Sequence, residues 1–343
     1  MDVSCIIPMI HDYPQSIMTI NSIQAEMEFS DLDYEIIIVE NGSVDPYTEK
    51  FLGAYRVPIR KGLIRYDFES VQCGPAARMK GARMAKGKYI LFMDSHTNLA
   101  RNSVNILVDS MEELGAGVAH GATVKTHVVP PHVRGLHYRL FGNRGPCLNS
   151  HFHGAYSRAG QDDPYPCVGA NLAYTMFRTE ELLELHGYHP KCQYYPHPEG
   201  YLPLKYLMFG RGVWAIPKAY HFHSVYRNPG SHGGPKWIID VQGDPHTLVG
   251  NDHLICNAMM CAYTLGGDKW MDIIYDTWAK KIRSKYILKG IREYAKSEAE
   301  EEHNWVQNNM EKTLDEVLIE ARKNKIKGME NYPTELLGED PIG

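Results

Sequence analysis

The sequence predicts an α/β fold, a mostly parallel sheet flanked by helices, with a helical extension at the C-terminal end. Three observations carry this expectation. Apolar runs at residues 3–8, 34–39 and 88–93 are too short for helices and read as strands buried on both faces. Segments with helical spacing or many small side chains separate them, the alternation of a parallel sheet with crossover connections. Beyond about residue 251 the pattern becomes helical throughout.

Taken in order, the first strand is stopped by Pro8, and Ile17, Ile20, Ile23 and Met27 then fall close to helical spacing. The second strand ends in Glu40-Asn41-Gly42-Ser43-Val44-Asp45, where Asn41-Gly42 supplies a tight turn and Ser43 or Asp45 can cap the next helix. A weaker strand covers residues 63–68. Residues 74–85 place Pro75 in a first helical turn and are dense in small side chains, so that helix can lie close on the sheet. Residues 88–93 form the strand around which the chain is organised, because it delivers Asp94 and His96 at its C-terminal end, where open parallel sheets hold ligands. Extended backbone turns Asp94 and His96 the same way and Ser95 the opposite way. A borderline divalent ion can take an oxygen from Asp94 and a nitrogen from His96. The plainer alternative makes Asp94 the cap of a helix beginning near Thr97.

Residues 104–114 read as a helix and 118–129 as a strand. Residues 130–166 have little periodicity and many Pro, Gly, His and Tyr, so they form a candidate lid or binding loop. A turn into a strand follows at 167–174, a helix from Thr179 ended by Gly187, a loop at 194–200, a helix at 202–209, and a strand at 212–217 closed by 220–223. Helices are expected at 270–294 and 305–325, the second with Val306, Met310, Leu314, Val317, Leu318 and Ala321 on one stripe. The acidic run from Glu298 to Glu302 reads as a solvated face or a mobile bend.

The 343 residues are 43% hydrophobic and 22% charged, an ordinary globular composition. A net charge of -5 excludes a global basic field that would draw the chain onto nucleic acid or an anionic membrane. The 7 cysteines lack Cys-x-x-Cys spacing, which argues against a disulfide framework or a zinc ribbon and for a reducing interior. With no signal-like start and no run of about 18 apolar residues, a soluble cytoplasmic protein without a membrane span is expected.

The strand ending in Pro8, the Ile37-Ile38-Val39-Glu40-Asn41-Gly42-Ser43-Val44-Asp45 block, and the Ala-Arg-rich helix followed by the Asp94 strand occur together in a particular order. In this the sequence resembles nucleotide-sugar glycosyltransferases of the GT-A fold, family 2 in particular, over roughly residues 1–227. The resemblance implies a GT-A domain at 1–250, with a nucleotide-binding half at 1–100 and an acceptor half at 101–250, before the helical extension at 251–343. It implies donor contacts at Pro8, Glu40, Asn41, Gly42, Ser43, Ser95, Gly169 and Asn171, with Glu40 meeting the base. Asp94-Ser95-His96 stands where the family has Asp-x-Asp and is similar to the Asp-x-His of polypeptide N-acetylgalactosaminyltransferases. By that analogy His223 is a third ligand to Mn2+ or Mg2+, with His221 competing for the role. Glu199 becomes the acceptor-side carboxylate, with Asp162 and Asp163 as alternatives. Arg78 and Lys80, on the helix before the metal strand, either add positive charge near the diphosphate or form a solvated face.

The activity so implied is metal-dependent transfer of a sugar from a nucleotide-sugar donor, uridine-linked, to a hydroxyl of a glycan, a protein or a modified DNA base. The lack of a Gln-x-x-Arg-Trp signature and of membrane spans speaks against a processive synthase. Two rivals stand beside it. Residues 278–292 mix basic and aromatic side chains and could meet DNA phosphates, with a hydroxymethylated base as acceptor, or could be an amphipathic helix with snorkelling lysines. The other rival is a non-catalytic module that binds a nucleotide sugar or glycan.

Overall fold

The computed structural model describes residues 1–10, 13–41, 48–71, 73–125, 132–137, 141–142, 145–146, 155–158, 163–171, 173–193, 200–223, 248–279, 285–326 and 329. The expected alternation opens the chain as β1 (Val3–Met9), α1 (Tyr13–Met27), β2 (Tyr34–Asn41), α2 (Thr48–Ala54), α3 (Arg56–Arg60), β3 (Ile64–Glu69), α4 (Gly74–Met84) and β4 (Tyr89–Met93). β1 pairs in parallel with β2 and β4, and β2 with β3, so all four strands end on one edge. Side chains alternate between two cores: Ile6, Ile37, Ile90 and Phe92 face one, while Cys5, Ile7, Ile36, Ile38, Leu91 and Met93 face the other. Burial on both faces is why these strands read as unbroken apolar runs.

α4 covers the first face, and the small residues that marked it in the sequence set its distance. A Cβ on Gly81 would collide with the Ile6 side chain and sit 3.4 Å from Val39. Replacing Gly81 with Val should therefore lower stability by about 1–3 kcal/mol through overpacking, read as a lower denaturant midpoint at unchanged slope.

The second half continues with β5 (Thr97–Leu99), α5 (Ser103–Glu113), β6 (Ala116–Lys125), β7 (His132–His137), β8 (Phe141–Gly142), β9 (Gly145–Pro146), β10 (Ala155–Arg158), β11 (Tyr165–Pro166), β12 (Tyr174–Arg178), α6 (Thr179–Glu184), α7 (Tyr201–Met208) and β13 (Gly212–His223). The main sheet runs β10-β7-β6-β12-β4-β1-β2-β3, with β13 joined to β5, β6 and β11. Two expectations are corrected here. Thr97 opens a strand, not a helix, because residues 97–99 pair with β13. The 130–166 segment is not structureless: β7 extends the sheet from β6, and β10 pairs with β7.

The C-terminal helices are α8 (Leu248–Ala279), α9 (Lys285–Asn309) and α10 (Leu314–Lys323). They pack on the α4 face, where Met259, Trp270, Ile274, Leu288, Val306 and Leu318 share one cluster with Ala77 and Ala82. α8 is kinked at Gly266 and Gly267, the latter at φ 65°. The expected helix at 270–294 is helical over 270–279 and 285–294, with 280–284 outside the described residues, and the one expected at 305–325 is interrupted between Asn309 and Leu314. The apolar stripe from Val306 to Ala321 is nevertheless packed in that cluster. This break falls where Thr313 and Glu316 form a capping box: the Thr313 hydroxyl accepts the Glu316 N–H at 3.2 Å and the Glu316 carboxylate accepts the Thr313 N–H at 2.8 Å.

Of the basic stretch 278–292, Trp278 and Ala279 belong to the end of α8 and residues 285–292 to the start of α9, while 280–284 lie outside the described residues. Within it Lys289 pairs with Glu293, and Arg292 with Asp268 and Asp272. The 298–302 run is helical and only in part a solvated face: Glu300 and Glu301 are exposed, but Glu302 is not. The carboxylate of Glu302 is buried, 2.6 Å from Nζ of the fully buried Lys205 on α7 and 3.0 Å from His186 Nδ1, with Trp305 stacked on His186. Among the described residues no helix is long and apolar enough to cross a membrane.

Candidate metal and nucleotide site

The C-terminal edge of the parallel strands carries the polar residues the sequence placed there. β4 is antiparallel to β12, and the Asp94 N–H donates to the Ala173 carbonyl at 3.3 Å, so the strand ends where its neighbour begins. The chain turns through Ser95 and His96 into β5. β13 runs antiparallel to β5 with His223 opposite Thr97, which carries a histidine from more than a hundred residues away to the side of His96.

Asp94, His96 and His223 thereby offer one carboxylate oxygen and two imidazole nitrogens, all within 4.8 Å of one another. His223 Nε2 lies 3.4 Å from Asp94 Oδ2, and the His96 and His223 rings meet edge to face at 4.6 Å between centroids. From the other side the Arg78 guanidinium donates to Asp94 Oδ1 at 2.5 Å. Burial pushes the Asp94 carboxyl up, but the His223 hydrogen bond and the charges of Arg78 and His96 outweigh it and hold it well below the usual carboxylate range. The group is an anion held among cationic and imidazole partners, and its side chain stays 28% exposed.

His221, the alternative to His223, is not one of the three grouped side chains. His221 is fully buried, 3.1 Å from the Thr123 hydroxyl, and burial lowers its pKa well below the ordinary histidine value. Asn171 Nδ2 donates to the same Thr123 oxygen at 2.5 Å, and Asn171 Oδ1 accepts the Ala173 N–H at 3.0 Å. Asn171 thus ties β6 to the start of β12 through the hydroxyl that also meets His221 on β13, and Gly169, two residues before it, is buried.

Glu40, the penultimate residue of β2, lies on the same edge and is buried. Thr48 Oγ1 donates to its Oε1 at 2.8 Å, and the Tyr66 hydroxyl donates to Oε2. Asn41 donates through Nδ2 to the Val71 carbonyl at 2.5 Å. Pro8 sits half-buried beside Val39, one residue short of the end of β1. Lys80 is brought elsewhere than Asp94: its Nζ donates to the Phe68 carbonyl at 2.5 Å and lies 3.5 Å from Asp67 at the end of β3. Ser95 is buried and accepts a hydrogen bond at its carbonyl from Thr19. Gly42, Ser43, Asp162 and Glu199 lie outside the described residues, while Asp163 is exposed just ahead of β11. Tyr66 and Thr48, which fix the Glu40 carboxylate, carried no motif in the sequence; their signal is only that Tyr66 lies on the neighbouring strand and Thr48 opens the following helix.

Residues 4–169 match the family profile Glycosyl transferase family 2. This stretch is a family 2 glycosyltransferase domain. The family 2 domain takes in Glu40, Arg78, Asp94 and His96, whereas Asn171 and His223 lie beyond the matched residues. Two curated relatives, each described as an uncharacterized glycosyltransferase, from Rickettsia felis and Rickettsia conorii, are 28% identical over 145 residues, covering 42% of this chain and 23% of theirs. The match thus spans about a quarter of those relatives' length. Among solved structures, GalNAc-T7 with UDP, GalNAc and Mn2+ superimposes at a TM-score of 0.64 and 16% identity, over 97% of this chain and 58% of that one. At that identity the likeness shows the fold, which is GT-A.

Proposed function

We propose that this protein is a metal-dependent glycosyltransferase that moves a sugar from a uridine diphosphate donor to a hydroxyl acceptor. The observation that carries the reading is the Asp94, His96 and His223 cluster on the C-terminal edge of a family 2 sheet, beside Arg78. One carboxylate and two imidazoles suit Mn2+, which accepts imidazole nitrogen alongside oxygen, better than Mg2+, which favours an oxygen shell. GalNAc-T7, whose fold this chain shares, was solved with UDP and Mn2+.

A divalent ion held by these three side chains would supply Lewis-acid stabilisation of the departing diphosphate. Arg78 adds a permanent positive charge at the same place, with a planar fork that matches phosphate oxygens. Glu40, its two oxygens fixed by Thr48 and Tyr66, is the acceptor for a base N–H, as uracil presents. If the reaction inverts the anomeric centre, the acceptor hydroxyl loses its proton to a carboxylate, with Glu199, Asp162 and Asp163 as the candidates. The acceptor itself is a glycan or protein hydroxyl.

A thermal-shift screen of nucleotide sugars with and without Mn2+ tests donor and metal together. A UDP-sugar at a hundred times its Kd should stabilise the fold by about 2.7 kcal/mol, only when Mn2+ is present. An equal shift without metal contradicts the metal reading, a shift with GDP-sugars alone contradicts the uridine assignment, and donor binding with no turnover marks a recognition module.

A further inference from the structure

α1 carries Thr19, Ser22 and Glu26 at i, i+3 and i+7, a polar stripe on one face of the helix. The stripe runs along the segment that leaves β4. The Thr19 hydroxyl donates to the Ser95 carbonyl at 2.8 Å and accepts the Thr97 N–H at 3.1 Å. Ser22 Oγ accepts the Leu99 N–H at 2.7 Å. The Glu26 carboxylate accepts the Asn102 N–H at 2.8 Å and the Val104 N–H at 3.2 Å. Backbone groups between residues 95 and 104 thus meet successive members of the stripe.

Thr19 differs from the other two in what it holds. The Ser95 carbonyl and the Thr97 N–H belong to the two peptide units on either side of His96. One fully buried hydroxyl therefore fixes both planes from which the His96 side chain springs. Ser22 acts farther along, inside β5, and touches neither unit.

We propose that Thr19 is a positioning residue for the metal site: by pinning both peptide units around His96, it sets the direction from which that imidazole meets Asp94 and His223. The inference rests on the metal reading of the cluster given above. Partners that orient a metal ligand are typically worth ten- to a hundredfold in metal affinity when removed. Serine can make the same two bonds, whereas valine fills the same space and makes neither.

The test is a Mn2+ titration of the full chain, with UDP present, following free Mn2+ by electron paramagnetic resonance at a temperature where circular dichroism shows each variant folded. Thr19→Val should bind Mn2+ about tenfold or more weakly, and Thr19→Ser should stay near wild type. Ser22→Ala, which also loses a backbone hydrogen bond, should stay within about twofold, because its bond lies beyond the ligands. If Thr19→Val does not fold, Thr19→Ala is read in its place. Wild-type affinity in Thr19→Val, or equal weakening in Thr19→Val and Ser22→Ala, overturns the inference. A wild-type protein that takes up no Mn2+ with or without UDP overturns the metal reading of the site, and the role of Thr19 falls with it.

Discussion

Replacing His223 with Ala is expected to lower sugar transfer by about a hundred- to a thousandfold. Lewis-acid stabilisation of a leaving diphosphate is worth several kcal/mol, and each 1.36 kcal/mol is a decade in rate. His223 is the cleaner choice within the cluster. Asp94 also neutralises Arg78, so Asp94→Asn removes the countercharge beside a mostly buried guanidinium and confounds rate with stability. His223 stands at the end of β13, and its removal leaves the Asp94–Arg78 pair intact. The measurement is kcat at saturating donor and Mn2+ on protein whose melting temperature matches wild type. A loss of less than about threefold would place the chemistry elsewhere.

The largest effect on stability is expected at Glu302→Ala, about 3–5 kcal/mol, because it leaves Lys205 charged and fully buried without its partner. The two sides of the pair explain the size. Burial lowers the Lys205 pKa, an effect Glu302 offsets only in part. Burial raises the Glu302 carboxyl, but Lys205 and His186 outweigh it and hold it below the ordinary glutamate value. The stability that ionised Glu302 contributes is thus complete above the ordinary glutamate range and is lost as the pH falls through its lowered value. Replacing both members, Lys205→Met with Glu302→Leu, should recover most of the loss, since an apolar pair avoids the desolvation. Urea denaturation of the single and double variants checks this, and a single-variant cost below about 1 kcal/mol would mean that water reaches Lys205.

How much of this was legible depended on whether the deciding physics was local. The parallel strands were, because burial on two faces leaves unbroken apolar runs, and so were Asp94 and His96, polar residues that end such a run. His223 was legible only as one of two histidines on one strand. What separates it from His221 is the register of β13 against β5, a long-range pairing with a strand that itself looked like the start of a helix. Lys80 shows the same limit: its helix was predicted, but the sequence does not say that its ammonium meets the Phe68 carbonyl rather than Asp94. The acidic run, exposed at Glu300 and Glu301 as expected, departs at its last residue for a related reason. Glu302 is charged, and nothing near it in sequence reveals that a buried lysine on α7 waits opposite. The break before α10 is different, since Thr313-x-x-Glu316 is a capping signature written in the chain, and the apolar stripe running through it hid the break.

The central claim is that Asp94, His96 and His223 hold a divalent ion against a diphosphate. Pulsed electron paramagnetic resonance of Mn2+ bound to the full chain with UDP tests it most directly. The account predicts coupling from imidazole nitrogens together with coupling from phosphorus, the nitrogen signal falling in His96→Ala and again in His223→Ala. Phosphorus coupling with no nitrogen signal, or a nitrogen signal that both substitutions leave unchanged, would contradict it.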